Sequence, residues 1–212
     1  MASESPTRPT GTAERTARAA TREIGLRTLA LGTVSGVGAA LLGYLLTYAL
    51  LASSAMSVLT RHGPQYSIAR DVLPQFSGSI PVWQAVGWLY YNAHWASVKF
   101  QQVGQQGGNF LNFLAYEGGA LAWLWLLPAI ILVGTGALFA YLTDLRTWNA
   151  GALAGATITV GYALALLVGI EGLAVEVSGV LISPELTLVA LLGFPLVFGC
   201  LGGLLGSIGN RS

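Results

Sequence analysis

Few side chains in this sequence could carry chemistry, and almost all of them fall between its apolar runs. On one side of those runs lie His62, Asp71, His94, Glu117, Glu171, Glu176 and Glu185; the lone cysteine, Cys200, is inside an apolar run. Two histidines with a carboxylate can hold a divalent metal, but the separation of His62 and His94 matches no metal motif. The default is a hydrogen-bonded loop histidine, with no metal and no cofactor expected. Ser/His/Asp and Cys/His signatures, a phosphate loop and paired catalytic carboxylates are absent, so no catalytic residue is assigned and a non-enzymatic protein is expected. A single cysteine excludes an intramolecular disulfide, and among Leu, Phe and Gly it reads as a small packing residue.

The stretch with the most distinctive side chains is Pro81 to Phe100, PVWQAVGWLYYNAHWASVKF. It is uncharged until Lys99, rich in Trp and Tyr, and interrupted by Gln84, Asn92 and His94. Proline is tolerated in the first turn of a helix, so Pro81 can open one. On that helix Val82, Val86, Leu89 and Ala93 share one face and Gln84, Trp88, Tyr91 and Trp95 the other. An aliphatic face opposite an aromatic-polar face predicts a helix lying at the lipid headgroup boundary. The binding candidates are Gln84, Trp88, Tyr91, Asn92, His94 and Trp95. Asn92 and His94 have a second reading, as polar ties that hold the loop onto the rest of the chain.

The elements that must position this stretch are membrane helices. Of 212 residues, 54% are hydrophobic and 9% charged, with a mean hydropathy of +0.65, whereas soluble domains carry about a quarter charged residues. Apolar runs predict an all-α membrane protein of four spans at about 28–59, 117–142, 148–170 and 185–208, the last opened by Pro184. A large loop, 60–116, holds the aromatic helix, and 171–185 forms an acidic linker. Residues 1–12 lack anything to bury and read as a disordered tail, and 13–27 as a basic juxtamembrane helix with Glu14–Arg18 and Glu23–Arg27 at i,i+4. The first run is too long for the core of a signal peptide, which favours a retained helix. Arg8, Arg15, Arg18, Arg22, Arg27, Arg146 and Arg211 lie on one side of the four spans, against Arg61, Arg70 and Lys99 on the other. That bias puts both termini in the cytoplasm and the loop outside. A five-span count, with 80–98 crossing, would bury Gln84, Asn92 and His94 in hydrocarbon, where polar groups are costly.

Small residues recur every fourth position: Gly32, Gly36 and Ala40; Gly151 and Gly155; Gly199 and Gly203. Such rows let helix backbones approach closely, either within the bundle or along a homo-oligomer seam. No ionisable residue falls in the middle of a span, which argues against proton-coupled transport. Pro128 and Pro195 could still break helices around a solute path. Gly43–Tyr44 and Gly161–Tyr162 form a faint internal echo. The expected partners are membrane lipids, with a second copy or another membrane or envelope protein as further possibilities. The basic residues form no footprint for nucleic acid.

At Gly87, Trp88, Tyr91, Asn92, Ala93 and His94 the chain resembles a family of small haloarchaeal membrane proteins grouped as a domain of unknown function. The likeness continues at Leu127 and Pro128, at Pro195 to Gly199, and at Gly202 and Gly203, and covers about Thr28 to Ile208. Ala129 stands where the family pattern has a second proline. The resemblance implies an archaeal plasma membrane, a four-helix unit and a large outer loop. Some members carry a loose transporter label, but no activity comes with it.

Overall fold

The computed structural model describes residues 25–62, 78–117, 119 and 121–210. The expected tail, most of the juxtamembrane helix, Asp71 and the last two residues lie outside them. Among the described residues, four helices are long and apolar enough to cross a membrane: Leu26–Leu51, Ala122–Leu142, Trp148–Leu173 and Val189–Gly209. Large apolar side chains face outward on every one, including Leu41, Leu138, Val168 and Leu205. Apolar exposure on this scale suits hydrocarbon rather than water.

The first span, α1 (Leu26–Leu51), ends earlier than the apolar run does. A turn at residues 52–54 separates it from α2 (Ala55–His62). Serine hydroxyls compete for backbone groups, and here Ser54 Oγ donates to the Leu51 carbonyl at 3.4 Å while Ser57 Oγ donates to that of Ser54 at 2.7 Å. The aromatic helix, α3 (Val82–Asn92), follows Pro81 and has 11 residues. That is about 16 Å of helix, half the hydrocarbon thickness, and the chain then turns into a strand, so the fifth crossing does not form. After β1 (Ser97–Gln102), β2 (Asn109–Leu111) and α4 (Phe113–Glu117) comes a 3₁₀ turn, Ala122–Trp125, leading into α5 (Leu126–Leu142). The third span, α6 (Trp148–Leu173), starts at Thr147, whose side chain accepts from the Ala150 N–H at 3.3 Å. Strands β3 (Val175–Val177) and β4 (Val180–Glu185) precede a π turn, Val189–Gly193, and α7 (Phe194–Gly209).

The prolines therefore do not break spans in their middles. A proline ring clashes with the carbonyl four residues back, so helix geometry changes just ahead of each: 3₁₀ before Pro128, π before Pro195.

The linker after α6 is a sheet, which composition did not reveal. All four strands join as β2-β1-β4-β3 with antiparallel pairing throughout. Ser178 (φ 51°) and Gly179 (φ 75°) both adopt left-handed conformations, as a two-residue type I′ hairpin between β3 and β4 requires. Pro184 does not open the fourth span; it lies in β4 opposite Val98. Its missing N–H is tolerated because β3 pairs only with Val180, Leu181 and Ile182, leaving that edge unpaired.

In the bundle α6 packs between α1 and α7, and α7 between α6 and α5. Every one of the small-residue positions is used inside the chain. A Cβ on Gly32 would overlap Thr157, on Gly36 the Ile158 carbonyl, on Gly151 the Gly203 carbonyl and on Gly155 the Gly199 carbonyl. Ala40 is buried in the core. Backbone contact of this kind supplies van der Waals attraction where lipid gives no hydrophobic force. The same device recurs at Gly161, Gly202 and Gly206, which meet Thr33, Val133 and Ala137.

Candidate functional site

The aromatic helix is not spread on a surface. All nine residues from Gln84 to Asn92 are buried, covering both faces, and the interfacial placement gives way to a wedge driven between α1, α6 and the sheet. An interfacial helix keeps one face for headgroups; here that face is satisfied by the carbonyls of the neighbouring helix.

Going down α3, its contacts descend along α6. Gln84 Nε2 lies 3.5 Å from the Ala174 carbonyl, and its Oε1 has no partner among the described residues. Trp88 Nε1 donates to the Leu173 carbonyl at 3.0 Å, and Gly87 takes the Leu173 side chain. The Tyr91 hydroxyl donates to the Leu166 carbonyl, passing over Gly169. His94 reaches Tyr162, near the middle of the 26-residue α6. From the other side, the Tyr44 hydroxyl on α1 donates to the Trp83 carbonyl at 3.0 Å.

Asn92 staples the end of the wedge. Its Nδ2 donates to the Ala96 carbonyl at 3.0 Å, and its Oδ1 accepts from the Phe113 N–H at 2.8 Å. It thereby ties α3 to the start of β1 and of α4. Past it the helix closes with two bonds, Trp95 N–H to Asn92 O at 3.0 Å and Ala96 N–H to Tyr91 O at 3.3 Å. This is a Schellman closure, which puts the residue before the last in the left-handed region. That residue is Trp95, at φ 61°, where glycine is usual. Trp95 is off the helix and 58% exposed, and its ring sits edge-on to Phe194 at 5.7 Å.

His94 is fully buried although it comes from a loop. Its Nδ1 is 2.8 Å from the Tyr90 carbonyl, which can only accept, so Nδ1 carries the proton. Its Nε2 is 2.7 Å from the Tyr162 hydroxyl, which is 2.8 Å from the Tyr90 hydroxyl, which is 3.1 Å from the Ala40 carbonyl. Burial lowers the His94 pKa to about 4, partly offset by the bond to the Tyr90 carbonyl, and the imidazole is neutral at pH 7. Burial also raises the Tyr90 and Tyr91 phenols, which stay protonated donors.

Four of the six candidates, Trp88, Tyr91, Asn92 and His94, are thus brought together as buried ties, with Gln84 at the upper end of the wedge and Trp95 outside it. Sequence reasoning missed Tyr162, whose hydroxyl meets His94, and Tyr90, whose carbonyl meets His94 and whose hydroxyl meets that of Tyr162. The Gly43–Tyr44 and Gly161–Tyr162 echo is the one trace of Tyr162, since both of its tyrosines tie down α3. Among the described residues no three His, Cys, Asp or Glu side chains cluster as a metal site.

Beside this network a half-open crevice of about 220 Å³ lies between α1, α3 and α6. Its wall is almost wholly carbon, from Leu41 and Tyr44, Trp83 and Tyr91, and Ala165 and Gly172.

A family model described as a family of unknown function, DUF7978, matches residues 11–210. No curated protein and no solved structure matches the chain.

Proposed function

The chain belongs to the DUF7978 family of unknown function, and from that premise we propose that it is a non-enzymatic membrane protein that holds a lipid hydrocarbon chain between α1, α3 and α6. The observation that carries this is the carbon-walled crevice, which opens beside α1, the least covered of the four spans. Ala40 and Leu41 on one wall and Ala165 and Leu166 on the other lie well inside their spans. An opening at that depth faces hydrocarbon, and what fills it comes from the bilayer. The hydroxyls around it are already bonded, Tyr44 to Trp83 and Tyr91 to Leu166, so the crevice selects an acyl or isoprenoid chain rather than a polar group. The arginine bias orients the protein with both termini in the cytoplasm of a plasma membrane and the sheet outside.

The transporter reading has less support. Helices α5, α6 and α7 meet backbone to backbone at Gly136, Gly151 and Gly155, which leaves no width for a polar path between them. The aromatic loop as an exposed docking surface also has less support, because five of its six candidate residues, Gln84, Trp88, Tyr91, Asn92 and His94, are buried.

Native mass spectrometry of detergent-extracted protein tests the proposal. Wild type should retain a lipid mass. Gly172 lines the crevice and a Cβ there meets nothing within 4 Å, so Gly172→Phe should fill the space and release the lipid without unfolding the protein. A lipid-free wild type, or equal retention in Gly172→Phe and Ala165→Phe, overturns it.

A further inference from the structure

The hydrogen-bonded chain around His94 has more contacts than protons. Its four links run from the Tyr90 carbonyl to His94 Nδ1, from His94 Nε2 to the Tyr162 hydroxyl, from there to the Tyr90 hydroxyl, and on to the Ala40 carbonyl. Each link is 2.7–3.1 Å long, within hydrogen-bond range. A neutral imidazole brings one N–H and each tyrosine one O–H, so three protons serve four links. With His94 neutral, Nδ1–H points at the Tyr90 carbonyl, Tyr162 donates to Nε2, and Tyr90 donates to Tyr162. The Ala40 link is then empty.

One added proton fills the set. Nε2–H donates to the Tyr162 oxygen, the Tyr162 hydroxyl turns to donate to Tyr90, and the Tyr90 hydroxyl turns to donate to Ala40. No heavy atom has to move. We propose that His94, Tyr162 and Tyr90 form a proton-binding site inside the bundle, in which uptake of one proton at His94 reverses both tyrosine hydroxyls.

The site is isolated from fixed charge. Tyr90 and Tyr91 face His94 from α3, Tyr162 from α6 and Phe194 from α7, while α1 contributes the Ala40 carbonyl. No carboxylate, amine or guanidinium is among the buried residues of the described chain. The cation's compensation comes from the two hydroxyls and two carbonyls alone. Phe194 packs against the His94 ring at 5.6 Å, and at the other end of the chain Tyr90 and Ala40 line the crevice. This site does not depend on whether a lipid occupies the crevice.

The test is ¹⁵N NMR of the imidazoles in detergent-solubilised full-length protein as pH falls, with His62→Gln removing the second histidine. At pH 7 the His94 signals should be those of the Nδ1–H tautomer. On acidification both ring nitrogens should become protonated while the amide spectrum remains that of the folded protein. Tyr162→Phe deprives the cation of its Nε2–H acceptor and should lower the midpoint by about one pH unit. Tyr90→Phe, which leaves that acceptor in place, should lower it less. Should Tyr162→Phe fail to fold, the Tyr90→Phe shift decides alone. A His94 that takes its proton only as the fold is lost, a resting Nε2–H tautomer, or a midpoint unmoved by removal of these hydroxyls overturns the proposal.

Discussion

The two halves of the bundle use glycine for opposite purposes. Toward the end where α5, α6 and α7 meet, Gly136, Gly155 and Gly203 each receive the backbone of a neighbouring helix. Toward the sheet, Gly43 and Gly169 instead make room for the hydroxyl ends of Tyr90 and Tyr91, and Gly87 for the Leu173 side chain. The first half is closed by helix-on-helix contact. In the second, α3 is inserted between α1 and α6, held by Trp88 and Tyr91 on α6 carbonyls and by Tyr44 of α1 on the Trp83 carbonyl. One half is therefore rigid and dry by packing. The other is specified by hydrogen bonds, keeps a crevice, and contains the buried histidine.

The sharpest way to break the packed half is Gly155→Leu. A Cβ there would run into the Gly199 carbonyl, and backbone on both sides leaves nothing to swing away. The helices must separate, forfeiting the contact along α6 and α7, at a cost above about 4 kcal/mol. Thermal unfolding in detergent should show no cooperative transition near that of wild type. Gly134→Ala, where a Cβ meets nothing within 4 Å, is the matched control and should behave as wild type. A well-folded Gly155→Leu would mean that α6 and α7 do not meet as described.

The hydrogen-bonded half should respond to pH as the packed half does not. The folded-state pKa of His94 is about 4, below the unfolded value near 6.5. The unfolded chain therefore binds the proton first as pH falls. Stability is fully present above about 6.5 and declines toward pH 4, with a slope of up to about 1.4 kcal/mol per pH unit and a total on the order of 3 kcal/mol. Denaturation of wild type and His94→Gln between pH 5 and 7 should show the slope in wild type and a flatter line in the variant. Parallel lines would show that His94 does not titrate with folding.

The difference between the halves also explains what could be read from the chain. Four spans, the glycine rows and a structured aromatic stretch follow from composition and from spacing of three to four residues, because packing between lipid-facing helices leaves a one-dimensional record. The sheet leaves a weaker one: in Val175–Glu176–Val177–Ser178–Gly179 the alternation lasts three residues, and its register with Ser97–Gln102 is a matter of distant pairing. The burial of α3 was not legible at all. Gln84, Trp88 and Tyr91 form a stripe suited equally to headgroups and to carbonyls of a neighbouring helix, and only the fold decides which it meets. Likewise no span contains a mid-helix histidine, yet the loop delivers His94 to Tyr162 in the middle of α6.

Asn92 gives the most local comparison of the two halves. Its carboxamide ties α3 to the start of β1, to β2 and to α4 at once, through Ala96, Leu111 and Phe113, and it is completely buried. In Asn92→Ala the Ala96 carbonyl keeps the donor from Asn112 at 3.2 Å, whereas the Phe113 N–H loses its acceptor. A single buried donor left unpaired costs about 2 kcal/mol, less than the glycine clash because no helix has to move. Hydrogen exchange should sharpen the assignment: the Phe113 amide and those of β1 should lose protection, while amides of α5 and α7 keep theirs. Uniform loss across both halves would instead show that α3 and the glycine-packed helices unfold as one unit.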